Sequence, residues 1–422
     1  MTFDLSRDHA KNLDEADELN SYRGKFFQPD ADLVYMDGNS LGRLPLRTVE
    51  RVERVVVEEW GSKLVRSWGA NWFNAPIEVG EKIALLVGAD KGQVAVSDST
   101  SVNLFKLSMA ALNLRPERGK IVTDSLNFPS DLYILQGCSR VLGGKHTIHL
   151  IPSADDIRVE TQAVMDAIDV NTALVTLSHV VFKSGYMYAA QAITTHAHKM
   201  GALVLWDLSH AVGAVSVELD RWGADFAVGC TYKYLNGGPG APAFLYVRHD
   251  LQNETLSPLW GWFGERAPFN FELDYVPAEG ISRFMCSSPP ILSLLAMEMG
   301  VDMVLEAGMD RIRKRSIQLT SYLIDLYDAV LAPLGFSLGS PREAEQRGSH
   351  ISIRHPEGYR INRALIEEMN VIPDFRDPDN IRLGLSPLYT SFQDVWEAVE
   401  RIRQVMTEKR YYHYPATRLT IT

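Results

Sequence analysis

Short, wholly apolar runs alternate with helix-like segments through the middle of this 422-residue chain. The apolar runs predict strands buried on both faces, and the stretches between them have the spacing of amphipathic helices. The predicted strands are 94–96, 120–123, 147–151, 173–177, 202–206, 226–229 and 243–247, and the predicted helices are 102–112, one that begins at Pro129, 163–168 and 190–200. This alternation predicts an α/β fold around a mostly parallel seven-stranded sheet.

The pattern changes after about residue 290. Two long helical segments (292–307 and 311–331) precede a smaller mixture of strands and helices: strand 350–353, helix 359–369, strand 381–384 and helix 392–406. Near the other end, Arg47–Trp60 has helical spacing of apolar and charged residues. We therefore predict a large domain over 75–287 and a small αβ domain built from 1–74 and 288–422.

The composition narrows the class of protein. Hydrophobic residues make up 46% and charged residues 23% of the chain, as in ordinary globular proteins. The net charge of −11, with no basic run, argues against a nucleic-acid partner. No apolar stretch approaches the roughly 20 residues that span a bilayer, and no signal-peptide pattern is visible. Three cysteines and scattered histidines suggest neither a disulfide framework nor a metal site, so we expect a cytoplasmic protein.

Polar side chains follow several of the predicted strands. Ser97–Ser101 comes after the first strand, Asn127–Asp131 after the second, and Ser178 and Asp207 after two later ones. In a mostly parallel sheet, ligands bind at the carboxyl ends of the strands. These residues are therefore expected to share one site.

Asp207 and Lys233, 26 residues apart, indicate a specific cofactor. A carboxylate at a strand end can keep a pyridine nitrogen protonated, and a lysine can hold the aldehyde of pyridoxal phosphate (PLP) as a Schiff base. Alone, Asp207 could equally cap the next helix, and a lysine is most often a surface residue. The flanking Tyr232 and Tyr234, and the Gly237–Gly238 turn that admits a ligand close to the backbone, favour the PLP interpretation.

Four weaker motifs are consistent with the same site. Ser99–Asn103, at a helix start, has hydroxyls and free N–H groups for a phosphate, although plain capping explains it equally well. Phe128, beside Asp131, could stack on a planar ring or belong to the core. His210 could bond a cofactor or substrate oxygen or be structural. Arg382 could bind an α-carboxylate through two hydrogen bonds, with Arg376 as a rival.

An ordered series of motifs resembles the class V aminotransferase group of fold type I PLP enzymes, and within it the kynureninase family. The resemblance covers nearly the whole chain. The motifs are Tyr35–Gly42, Asn127–Asp131, Trp206–Ala211, Thr231–Gly240, Gly261–Gly264, Ser287–Ile291, Ile381–Arg382 and Pro387–Tyr389.

The resemblance implies a role for each candidate residue. Lys233 would form the Schiff base and move protons, Asp207 would pair with the pyridinium, and Tyr232 would bind phosphate and relay a proton. A homodimer with shared active sites is also implied, because Trp262 and Ser288 would reach the phosphate of the other subunit. The remaining implied residues are Thr100 and Ser101 at the phosphate, Phe128, Pro129, Ser130, Asp131, Ser178 and His210 around the cofactor, and Arg382 and Trp68, with His210, at the substrate.

The implied reaction is hydrolysis of L-kynurenine to anthranilate and L-alanine, a step of tryptophan catabolism. Two positions differ from the animal relatives. Ser288 stands where they have Asn, and the region that gives them a histidine over the substrate ring reads Ser67–Trp72 here. Both differences remove polar partners for a ring hydroxyl, so we expect kynurenine to be preferred over 3-hydroxykynurenine.

Three alternatives share the Asp–Lys pair. A cysteine desulfurase that relays sulfur would need a cysteine in the C-terminal third, and residues 287–422 contain none. A transaminase has the same cofactor residues and stays open. A PLP-binding regulator would need a basic DNA-binding segment, and the sequence has no such segment.

Overall fold

The computed structural model describes residues 4–417. The strands are β1 Val34–Tyr35, β2 Val94–Val96, β3 Lys120–Asp124, β4 Thr147–Ile151, β5 Thr172–Ser178, β6 Leu203–Asp207, β7 Phe226–Gly229, β8 Phe244–Val247, β9 Ser337–Leu338, β10 His350–Arg354, β11 Val371–Ile372, β12 Asp374–Arg376 and β13 Asn380–Gly384. The helices are α1 Arg7–Glu15, α2 Leu46–Arg54, α3 Ala75–Val87, α4 Thr100–Leu114, α5 Pro129–Val141, α6 Thr161–Asp166, α7 Ala190–Lys199, α8 Leu219–Trp222, α9 His249–Gln252, α10 Ile291–Ala307, α11 Met309–Leu326, α12 Gly358–Glu368 and α13 Phe392–Thr407.

The central sheet has seven strands in the order β2-β8-β7-β6-β5-β3-β4. Strand β8 is antiparallel to both of its neighbours, and the other pairs are parallel. Every residue of β5 and β6 is buried, because helices cover both faces, whereas the edge strand β4 is largely exposed. The predicted α/β fold with a mostly parallel seven-stranded sheet is confirmed.

A second, four-stranded sheet has the order β12-β13-β10-β9 and is antiparallel throughout. Helices α12 and α13 pack with it in a separate hydrophobic core. The short strand β1 pairs in parallel with β11, so the N-terminal segment joins this smaller unit. Helix α10, in contrast, contributes Leu294 and Val301 to the core of the large sheet. The domain division at residues 75 and 288 remains a prediction.

Two long helices end earlier than their patterns predict. The predicted helix Arg47–Trp60 is regular only to Arg54 and continues as wide, π-helical turns over Val55–Lys63. Leu64 then has a positive φ of 54°, a conformation that no helix continues. The predicted helix 311–331 likewise changes to wide turns at Tyr327–Leu331, just before Pro333. No helix within residues 4–417 is long and apolar enough to cross a membrane.

Candidate active site

The residues predicted from strand ends meet at the carboxyl edge of the central sheet. Asp207 is the last residue of β6, and Lys233 lies in the loop after β7. The N-terminal segment closes over this loop, since the Gly42 N–H donates to the Tyr232 carbonyl over 2.8 Å. A Cβ on Gly42 would lie 2.3 Å from the Lys233 carbonyl oxygen, so the two backbones can approach this closely only at a glycine.

Lys233 and His210 form the centre of the site. The Lys233 Nζ lies 3.1 Å from Nε2 and 3.4 Å from Nδ1 of His210. Burial lowers the pKa of the Lys233 amine, and Arg382 adds to this effect, although Cys230 and Asp207 oppose it. Burial, and next the charge of Lys233, hold the pKa of His210 well below its usual range. The site therefore favours a neutral amine beside a neutral imidazole.

Asp131 and Asp207 place two carboxyl groups together. Both side chains are buried, and one Asp207 oxygen accepts the Ser209 N–H over 2.7 Å. Burial, and next the charge of Asp207, raise the pKa of Asp131 well above its ordinary value. The raised pKa favours the neutral form of Asp131, so the two carboxyl groups together carry less negative charge than two carboxylates would, which suits a single cationic ring nitrogen.

Asn127, Ser178 and Phe128 lie next to the acids. The Ser178 hydroxyl donates to Asn127 Oδ1 over 2.7 Å, and the Asn127 amide donates to Thr123 over 3.1 Å. Phe128 is 41% exposed and meets Phe182 edge to face, with ring centroids 5.3 Å apart. An exposed aromatic face at this position is available for stacking on a planar ligand.

The N-terminus of α4 borders a cavity rich in hydroxyl groups. Ser99 caps the helix by accepting the Val102 N–H, and the Ser101 and Ser130 hydroxyls lie 3.0 Å apart. Thr100, the first helical residue, and Pro129, the first residue of α5, complete the two helix starts. The cavity is lined by Ser97, Asp98, Ser99, Tyr232, Gly240 and Ser288. Hydroxyls and free N–H groups at a helix start suit an anion.

Lys106 supports this loop, and the sequence analysis did not find it. The side chain is fully buried on α4, and its Nζ donates to Asp98 over 2.8 Å and to the Phe284 carbonyl over 2.6 Å. Asp98 has a positive φ of 50°, so the ion pair stabilises an unfavourable turn. A lysine in the middle of a helix has no sequence signal for such a role.

Arg382 lies buried on β13 with its guanidinium already paired. Its Nε donates to Asp374 over 2.6 Å, its Nη2 donates to Asp374 and to Ser40, and its Nη1 donates to the Phe182 carbonyl over 2.5 Å. The rival Arg376 contacts the same carboxylate at 2.9 Å. Both arginines thus belong to one charged cluster, and Asp374 is a member that the sequence analysis missed.

Trp68 and Trp262 belong to one aromatic cluster around Phe263. The Trp68 ring is 5.6 Å from Trp72 and 5.8 Å from Phe263, and Trp262 meets Phe263 edge to face. Trp262 is 42% exposed. Within this one chain, the structure brings Ser288 to the cavity of Tyr232 but places Trp262 on the surface.

The architecture is shared with several solved structures. A cysteine desulfurase from Thermococcus onnurineus NA1 aligns with a TM-score of 0.80 and 18% identity, over 93% of this chain and 99% of that one. The cysteine desulfurase CsdA from Escherichia coli aligns with a TM-score of 0.77 and 15% identity, over 93% and 98%. With Asp207 and Lys233 at the carboxyl edge of the sheet, the fold defines the class: a fold type I, PLP-type enzyme.

Sequence relatives specify the family. Residues 312–402 match the family model described as kynureninase C-terminal domain. A kynureninase from Pseudomonas fluorescens is 43% identical over 96% of this chain and 97% of its own length. A kynureninase from Burkholderia pseudomallei (strain 1106a) is 42% identical over 99% and 100%. The chain belongs to the kynureninase family.

Proposed function

We propose that this protein is a PLP-dependent hydrolase that converts L-kynurenine to anthranilate and L-alanine. The observation that carries the proposal is 43% identity to a kynureninase over nearly the full length of both chains. The cysteine desulfurases share the fold at only 15–18% identity, so they support the architecture and not the reaction.

The residues of the site fit PLP. Lys233 offers a primary amine whose pKa is lowered by burial, which suits covalent attachment to an aldehyde. Asp207, beside a neutralised Asp131, offers a buried carboxylate for a pyridinium nitrogen. The cavity at the start of α4 would receive the phosphate. Tyr232 lines this cavity, and Thr100 and Ser101, in the adjoining first turn of α4, would be further partners. Phe128 would stack on the ring, with Ser178 and His210 at its edge.

When bound, PLP supplies an electron sink for the carbon atoms next to the substrate amine. The protein supplies proton transfer and orientation. Lys233, whose pKa is lowered by burial, accepts the proton of the substrate Cα. The Cys230 thiol, and next burial, raise the pKa of the Tyr232 phenol. Tyr232 therefore stays protonated and can donate a proton to the oxygen of the ketone whose carbon water attacks.

Orientation of the substrate comes from the opposite wall. Arg382 and Arg376 carry the positive charge that a substrate α-carboxylate requires. Arg382 lies close enough to Lys233 for its charge to help lower the pKa of the Lys233 amine. The carboxylate is attached to the Cα on which Lys233 acts, so binding at the arginines would fix that end of the substrate beside the lysine.

The direct test is fluorescence of anthranilate after kynurenine is added to the purified, PLP-loaded protein. Lys233→Ala is expected to lose at least about 10³-fold in kcat, because the base and the covalent anchor are removed together. Pyruvate-dependent amino transfer as the main activity would favour a transaminase. Sulfide release from cysteine would favour a desulfurase.

Substrate preference follows from the same comparison. We propose that kynurenine is preferred over 3-hydroxykynurenine, because Ser288 and Trp68 provide fewer polar partners for a ring hydroxyl. The ratio of kcat/KM for the two substrates measures this directly. A higher value for the hydroxylated substrate would contradict the assignment.

We also propose a cytoplasmic homodimer with shared active sites. The support is an exposed apolar surface on the segment 256–276, where Trp260 is 59% exposed, Phe269 60%, Phe271 73% and Leu273 101%. Monomeric proteins rarely expose so much contiguous apolar surface. Trp262 belongs to this surface, as a residue of the partner's site would.

A mixing experiment tests the sharing. Lys233→Ala and Trp262→Ala protomers are unfolded, refolded together and assayed with kynurenine. If Trp262 acts in the partner's site, random pairing restores about a quarter of the sites to the wild-type set. If it acts within its own chain, the mixture shows no more than the average of the two variants. Refolded wild-type protein provides the control for recovery.

A further inference from the structure

Four charged side chains meet where the N-terminal segment crosses the small sheet. Asp374 lies between two guanidiniums: Arg382 Nε donates to it over 2.6 Å, and Arg376 Nη2 lies at 2.9 Å. Ser40 donates to the same carboxylate over 2.9 Å. Asp37, three residues before Ser40, is the fourth member, and its backbone bridges to Gly384, two residues after Arg382.

Asp37 is the less fully paired of the two aspartates, with a hydrogen bond to the Ser40 side chain. One of its oxygens is buried and, among the described residues, has no hydrogen-bond partner. Asp374, in contrast, is held ionised because Arg382 lowers its pKa even though burial opposes this. Two arginines and one ionised aspartate leave one net positive charge. An ionised Asp37 would cancel it.

The other groups that face Asp37 do not change charge near neutral pH. Burial raises the pKa of Tyr35, Tyr234 and Tyr389, so these phenols stay neutral. Burial lowers the pKa of the nearby imidazoles of His210 and His350, so these also stay neutral.

Asp37 is different from these groups, because its surroundings bring its pKa close to neutrality. Burial, and next the negative charge of Asp374, raise the pKa of Asp37 to about 7. The net charge of the cluster therefore decreases from +1 to zero as pH rises through neutrality.

We infer that Asp37 sets the charge of the pocket that binds the substrate α-carboxylate, and thereby controls substrate binding and not the chemical step. The inference rests on the proposed function, in which Arg382 and Arg376 bind that carboxylate. The protonated side chain permits anion binding, and the ionised one opposes it.

The test uses the PLP-loaded protein and an unreactive probe, 4-oxo-4-phenylbutanoate, which has the carboxylate and aryl ketone but no amine. Its Kd, measured by calorimetry, is expected to rise about tenfold from about pH 6 to about pH 8.5 in the wild type. In Asp37→Asn the rise is expected to be less than about twofold, because the charge no longer changes. The neutral probe 4-oxo-4-phenylbutanamide should show no such dependence in either protein.

Asp14→Asn is the matched control. Asp14 is another buried carboxyl with a raised pKa, and it accepts the Phe392 N–H over 2.7 Å, outside the site. This variant should keep the wild-type dependence of Kd on pH. Substitution of a residue that only supports the fold would not abolish the pH dependence of Kd for the carboxylate probe while leaving the neutral probe unaffected.

Kinetics give a second readout. With kynurenine, KM should rise over the same pH range in the wild type, while Asp37→Asn should remove most of that rise and leave the kcat profile unchanged. A wild-type Kd for the carboxylate probe that is flat with pH would overturn the inference, whether or not Asp37→Asn folds. Absence of anthranilate from the wild type would instead count against the proposed function, because the binding experiment does not need turnover.

Discussion

At the scale of single residues, burial rather than a neighbouring acid controls the reactivity of Lys233. The amine lies among a neutral imidazole, a thiol and a guanidinium, and burial is the largest influence on its pKa. Asp207 acts in the opposite direction, since its charge favours the ammonium form. In the proposed site, the contribution of Asp207 is therefore the negative charge that it would offer a ring nitrogen.

Tyr232 is expected to serve as a proton donor. Tyr232→Phe should lower kcat by about 10²- to 10⁴-fold, because general acid catalysis at the hydrated carbonyl is lost. The visible absorbance of bound PLP should remain. Tyr246→Phe is the control. It removes a buried phenol hydroxyl on β8 that donates to Asp220, and kcat should be unchanged. Wild-type turnover in Tyr232→Phe would exclude the role.

Asp37 also affects stability. Its pKa is raised in the folded protein, so the unfolded chain releases its proton at lower pH than the folded one. Asp37 should therefore lower the free energy of unfolding progressively from about pH 4 to about pH 7, and this loss should then stay constant. The stability of Asp37→Asn relative to the wild type, measured by urea unfolding, should therefore be greater at about pH 8 than at about pH 4. An identical pH dependence in both proteins would contradict this.

The sequence predicted some of these residues and not others, for a physical reason. Asp207 and Lys233 follow short apolar strands. The local pattern of apolar residues is enough to locate the end of such a strand, and therefore the edge of the sheet. Lys106, Asp37 and Asp374 have no such mark. They matter because distant segments bring them together, as Asp98 and Phe284 do for Lys106.

At the scale of elements, α4 depends on one lysine for the position of its first turn. Lys106→Met should destabilise the protein by about 3 kcal/mol, because Asp98 and the Phe284 carbonyl lose their partner. PLP affinity should fall as well, since the loop before α4 relaxes. Calorimetry of unfolding and titration with PLP measure the two effects.

Lys82→Met is the control for this change. Lys82 on α3 makes two ion pairs with α10, at 2.8 Å to Glu298 and 2.7 Å to Asp302, but its side chain is 34% exposed. Its loss should cost less than about 1 kcal/mol and should leave PLP affinity unchanged. Equal losses of stability and of PLP affinity in the two variants would contradict the proposed role of Lys106.

The elements most easily predicted were those whose environment is uniform along their length. Strands β5 and β6 are buried on both faces, so their apolar runs match the observed bounds within a residue. The segment after Arg54 differs, because Glu59 is buried there and accepts from Arg51 over 2.6 Å and from Trp72 over 2.7 Å. These contacts between side chains more than two helical turns apart accompany the wide turns, and the periodicity of apolar residues does not predict them.

At the scale of the whole molecule, the exposed apolar segment 256–276 is the surface that we propose for the dimer interface. Leu273→Asp should shift the protein toward monomers in sedimentation and lower its activity, because a charge would be buried on association. Val170→Asp, at a position 75% exposed in another loop, should change neither. A fully dimeric, active Leu273→Asp protein would exclude this residue from the interface.

The N-terminal segment links the two units of the molecule over a very short length of chain. The Met36 carbonyl accepts the Gly384 N–H on the small sheet over 2.6 Å, and six residues later the Gly42 N–H donates to the Tyr232 carbonyl of the lysine loop. A rotation of the small unit therefore cannot occur independently of the lysine loop. Limited proteolysis or engineered cleavage between these two points would uncouple Arg376 and Arg382, the arginines proposed to bind the substrate, from Lys233, although none of these residues had been altered.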